Sequence, residues 1–93
     1  MAHIRLEMDH LQVTVKKQMW ANVWTVRKSI DYQLTDYCDT KEEAITLARD
    51  LAVEMSMKCH ETIKDEFNND VEFVYPVDIY VNEELLTTLL YSS

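Results

Sequence analysis

Ninety-three residues, 47% of them hydrophobic and 28% charged, fit one globular domain spanning 1–93 and leave no room for a second. The chain has no glycine, which excludes a P-loop, a dinucleotide fingerprint and a G-x-S-x-G elbow, because each needs backbone that only glycine allows. The net charge of −8 repels nucleic acid and attracts basic partners.

The first half reads as strands. Ile4, Leu6 and Met8 alternate with Arg5, Glu7 and Asp9, and Leu11, Val13 and Val15 alternate with Gln12, Thr14 and Lys16. The apolar parity flips between Met8 and Leu11, so a bulge or turn is expected near Asp9-His10. Trp24, Val26, Ile30, Tyr32 and Leu34 share the next apolar parity. Lys28 interrupts it, so a turn near Arg27-Lys28-Ser29 splits this run into two strands.

Thr40-Lys41-Glu42-Glu43 is a capping box that opens a helix. At 100° steps, Ala44, Ala48, Leu51, Ala52, Met55, Cys59, Thr62 and Ile63 gather on one side, and Asn68-Asn69-Asp70 is the expected stop. The spacing therefore predicts one helix from about Thr40 to about Phe67, roughly 40 Å long at 1.5 Å per residue. Val71, Phe73, Tyr75, Val77, Ile79 and Val81 then alternate as a strong strand. Pro76 cannot donate to a ladder, so this strand is at an edge or kinked, with Val74 and Tyr80 outward. For residues 83–91 a short helix capped by Asn82 and a hairpin strand both stay open. The Thr87-Thr88 pair favours the strand. The expected fold is α+β: an antiparallel sheet of about four to five strands covered on one face by a single long helix.

The segment from Trp24 to Ala52, with W-x-V, a second strand and then DTKEEAITLARDLA, resembles the strand-to-helix junction of several small β-rich domains, HicB-like antitoxins among them. The resemblance implies that local junction and carries no function.

Chemistry is sparse. Cys38, Cys59, His3, His10 and His60 have neither C-x-x-C nor H-x3-H spacing, so no metal or cofactor is expected. Cys59 reads as a buried thiol and His60 as a surface imidazole. Ser29 and Ser56 fall at polar positions without an adjacent histidine, so no catalytic residue is assigned and an enzyme is not expected. Trp20, Trp24, Tyr32, Phe73 and Tyr75 mostly share the apolar parity and read as core, which disfavours direct nucleic-acid binding.

The charge is uneven. Residues 1–35 carry Arg5, Lys16, Lys17, Arg27 and Lys28 against Glu7, Asp9 and Asp31, net +2. Residues 36–93 carry four bases against fourteen acids, net −10. On the expected helix Glu43, Asp50, Glu54, Glu61 and Asp65 form one acidic stripe with Met57 beside it, about 33 Å long at 1.5 Å per residue. These six residues are the candidate partner-binding site.

The expected protein is a small non-enzymatic binding module, an inhibitor or regulator in the style of phage-encoded inhibitors. Its carboxylates would stand in for phosphates on a basic surface, such as that of a nucleic-acid-binding protein. The alternative is a self-associating subunit, a homodimer paired through the edge strand around Phe73–Val81. No apolar run approaches the roughly 18 residues of a membrane span, and the opening MAHIRLEMDH has no apolar leader. Two cysteines do not make a disulfide framework, so a cytoplasmic protein without membrane contact is expected.

Overall fold

A computed structural model of the chain describes residues 3–29 and 31–91; the side chains of 31–34 are not described. Ile30 and the Tyr32 and Leu34 side chains, assigned above to an apolar face, therefore lie outside the described residues. The alternating first half forms β1 (His3–Glu7), β2 (Leu11–Lys17), β3 (Trp24–Lys28) and β4 (Asp31–Cys38). After it come α1 (Lys41–Cys59), β5 (Glu61–Lys64), β6 (Asp70–Val74), β7 (Val77–Val81) and β8 (Glu84–Leu89). The fold is α+β. A five-stranded sheet of order β4-β3-β2-β7-β8 carries the helix, and a three-stranded sheet of order β1-β6-β5 extends from it. Neighbours are antiparallel except β2–β7 and β1–β6, which are parallel.

The helix packs on β2, β3, β4, β7 and β8. Val13, Val15, Val26, Val77 and Ile79 meet Ala44, Ala48, Ala52 and Met55 in one closed core. Alanines four apart bring the helix backbone close to the sheet, and each buried Val or Ile contributes about 1.5–3 kcal/mol. At the helix start Thr40 Oγ1 accepts from the Glu43 amide at 3.2 Å, while Glu43 Oε2 accepts from the Asp39 amide at 3.4 Å. The second bond thus reaches one residue beyond the cap amide that a capping box would use.

The helix ends at Cys59, well before Phe67. The His60 amide still bonds to Ser56 O at 3.0 Å, but His60 itself turns extended, with φ −60° and ψ 130°. Beyond it the β-branched Thr62 and Ile63 suit a strand, and Glu61–Lys64 pairs with β6. Thr62 and Ile63 are exposed rather than core. The stop expected at Asn68-Asn69 is a hairpin turn, with Asn68 at φ 63°.

β1 and β2 are one run bent at Met8-Asp9-His10, and β6 and β7 are one run bent at Tyr75-Pro76. Across the bends the Met8 amide donates to Val74 O and the Leu11 amide to Pro76 O, both at 2.9 Å. Three residues against two make the expected bulge, and Pro76 sits at a bend where no ladder donor is needed. The kinked reading of Pro76 holds and the edge reading does not. β6 lies between β1 and β5, and β7 lies between β2 and β8. Val74 is buried and Tyr80 half-buried, so neither offers an outward pairing edge.

Residues 84–89 form a strand, closing a hairpin on β7 through Asn82 and Glu83. Their φ values of 48° and 73° are those of a type I′ turn, whose twist matches the flanking strands. The whole chain measures 57 × 23 × 18 Å, with a radius of gyration of 15.9 Å. A compact chain of this length would have about 12 Å. Among the described residues no helix is long and apolar enough to cross a membrane.

Candidate functional site

The structure divides the expected acidic stripe. Glu43, Asp50, Glu54 and Met57 lie on the exposed side of α1. Glu54 is bridged to Lys58 at 2.7 Å, and that hydrogen bond holds its carboxyl below the ordinary range. Lys41, Arg49 and Lys58 stand against Glu42, Glu43, Asp50 and Glu54 along the helix, net −1. Glu61 belongs to β5, not α1. Asp65 is in the β5–β6 turn, where its carboxylate accepts from the Asn69 amide at 2.8 Å, the Phe67 amide at 2.9 Å and Asn69 Nδ2 at 3.2 Å. The backbone bond from Asn69 is the main cause that lowers its pKa. Asp65 is thus committed to building the turn.

The acidity concentrates instead in the arm formed by β1, β5 and β6. Residues 3–9 and 60–75 carry Arg5 and Lys64 against Glu7, Asp9, Glu61, Asp65, Glu66, Asp70 and Glu72, net −5. Register gives the arm two unlike faces. Ile4, Val71 and Ile63 form one cross-strand row, and Leu6 and Phe73 stand beside it in the next row with Glu61. Leu6 is 43% and Ile63 45% exposed, and Phe67 at the hairpin tip is 75% exposed. This is an apolar patch on a sheet that the helix does not reach.

The other face carries a polar cluster. Glu72 accepts from His60 Nε2 at 2.7 Å and from His3 Nε2 at 2.9 Å. His60 meets the Tyr91 ring edge-on at 5.7 Å between centroids. His60 is therefore a half-buried anchor at the root of the arm, not the surface imidazole expected. Ser56 also departs from expectation. It is buried, and its hydroxyl accepts from the Tyr91 amide at 2.9 Å. Cys59 is half-buried. Among the described residues no group of three or more His, Cys, Asp or Glu side chains is arranged to hold a metal.

The face of the five-stranded sheet opposite α1 holds a cavity of about 350 Å³. Thr14, Arg27 and Thr35 form one cross-strand row of its floor, and Lys16, Thr25 and Tyr37 form the next. Trp20, on the loop between β2 and β3, lines one side. Trp20, expected in the core, is 79% exposed. It lies outside any strand alternation, so parity said nothing about it. Tyr37 is 67% exposed and shares the parity of Thr25, Arg27 and Thr35, a signal that was present in the sequence. Trp24 packs against the core as expected, while Phe73 and Tyr75 are half-buried.

No family model, curated protein or solved structure matches the chain.

Proposed function

We propose that the protein is a non-enzymatic binding module whose arm docks on a basic protein surface with an apolar centre. The observation that carries this reading is the exposure of Ile4, Leu6 and Ile63 on one face of the arm, with Phe67 exposed at its tip, on an arm of net charge −5. An exposed apolar patch with a charged rim is the usual mark of a protein contact. The rim residues Glu61 and Glu66 select a partner of opposite charge, such as the nucleic-acid channel of another protein, where carboxylates can replace phosphates.

The test uses the immobilised chain, a host extract and washes of rising salt. The expected captured protein is basic, with an isoelectric point above about 9, and elutes with salt. It is lost from a Leu6→Glu, Ile63→Glu variant and kept by an Asp50→Lys, Glu54→Lys variant. Capture that survives the arm variant removes the arm from the reading. Loss with the helix variant alone returns the contact to α1.

One observation favours a second reading, self-association through the same face. The accessible surface is 6344 Å², about 700 Å² more than a compact monomer of this mass exposes. A standard interface buries about 800 Å² per partner. A two-fold dimer stacking the two apolar faces would use that surplus.

A further inference from the structure

We infer that the open-face cavity is a binding site for a nucleotide unit, its base against Trp20 and Tyr37 and its phosphate on Lys16 and Arg27. The shape is suitable, since about 350 Å³ lies within the usual range of roughly 300–1,000 Å³ for small-molecule pockets. The charge is also suitable. Among the described residues Lys16 and Arg27 line the cavity and no carboxylate does, although the chain has 17 acids and only nine bases. Lys16 pairs with Thr25, so Arg27, two residues further along that strand on the same face, is its diagonal neighbour. Such diagonal positions are about 7–8 Å apart, and two long side chains starting there can converge on one phosphate.

The rings supply the second half of the site. Trp20 and Tyr37 are both largely exposed, and among the described residues the one ring–ring contact is His60 with Tyr91. Neither ring is stacked on another among the described residues, so each can take a planar ligand, the way exposed aromatics hold bases. The Trp20 loop is held in place before any ligand arrives. Gln18 Nε2 donates to Thr25 Oγ1 at 3.0 Å, Thr25 Oγ1 donates to Lys16 O at 3.2 Å, and the Gln18 amide donates to Val23 O at 2.9 Å. The only ion pair to a lining cation among the described residues is Lys16 with Glu83 at 3.4 Å, and both side chains are more than half exposed. Such a surface pair exchanges easily for a phosphate.

A free mononucleotide and one unit of a single-stranded nucleic acid present the same chemistry. Calorimetric titration of the full chain separates them, using adenosine monophosphate, uridine monophosphate, adenosine, inorganic phosphate, a short oligodeoxyadenylate and an oligoglutamate peptide. Saturable binding of the monophosphates is expected, with adenosine and phosphate each weaker by about tenfold or more. Trp20→Ala and Arg27→Gln should each weaken binding by about tenfold, with unchanged circular dichroism and melting temperature because both residues are on the surface. An oligonucleotide that binds more tightly than adenosine monophosphate assigns the source as single-stranded nucleic acid. Equal or weaker binding, expected from the net charge of −8, assigns it as a free nucleotide. Absence of saturable monophosphate binding overturns the site. So does binding that persists in both variants, or oligoglutamate binding as tightly as the monophosphates.

Discussion

Glu72 stands between two imidazoles, and Asp78 on the other side of the bend plays a similar part for His10. The His60 hydrogen bond, then burial acting against it, then the His3 hydrogen bond leave the Glu72 carboxyl below its ordinary range. A depressed carboxyl contributes stability at pH values above its unfolded pKa and loses that contribution as pH falls through the folded one. The Asp78 hydrogen bond raises the His10 pKa, with Glu7 adding to it. That contribution is complete below the ordinary imidazole range and is lost as pH rises through the raised value. The two effects bracket a window of greatest stability in mild acid. Melting temperature measured against pH should fall on both sides of it. Glu72→Gln should make the acid side shallower, a limb that Glu54, Asp65 and Asp78 share, and His10→Asn should flatten the neutral side. A curve unchanged in the double variant would assign the dependence to other groups. The His3–Glu72 and His10–Asp78 pairings were not legible in the sequence, because they come together only through parallel strand pairing over long range.

At the scale of elements, the sequence was most informative where a local pattern has one structural solution. The alternation around Val13 and Val77, the Thr40 cap and the alanine arc each have one, and each is realised. The helix end was not legible, for a physical reason. Thr62 and Ile63 continue the apolar arc at helical spacing, and no glycine or proline marks a stop. The deciding contact is the pairing of Glu61–Lys64 with β6, which a local pattern does not contain. The same tertiary pairing dismantled the acidic stripe, because Glu61 and Asp65 aligned with Asp50 only if the helix continued. The β7–β8 turn carries a testable cost. Glu83 adopts φ 73°, a region that costs a residue with a Cβ about 1–2 kcal/mol. Asn-Gly is the preferred pair for this turn. Glu83→Gly should therefore stabilise the chain by about 1 kcal/mol by chemical denaturation, after the entropy of the new glycine is offset. A destabilised variant would show that the Lys16–Glu83 pair outweighs the backbone strain.

For the whole molecule, elongation and charge act together. A radius of gyration of 15.9 Å in a chain this short means that the arm lies outside the core that α1 covers. Its charge makes the two readings of the arm respond oppositely to salt. Docking on a basic partner weakens as salt screens the attraction, whereas two arms of like charge come together more readily when screened. Sedimentation at low and high salt should therefore show a monomer in both if the arm serves a basic partner. A dimer that strengthens with salt, and that Leu6→Glu with Ile63→Glu abolishes, would favour self-association.

The two bent strands have a consequence for how the protein is made. β1 pairs with β6, and β2 with β7, through partners such as His3 with Asp70 and Leu11 with Val77. A ribosome releases β1 and β2 long before their partners, so the two sheets cannot be completed until β6, and then β7 and β8, have emerged. Until then β2 has β3 on one side and an open edge on the other, and such edges invite mispairing. Closure of these distant pairs should be the slow step of folding.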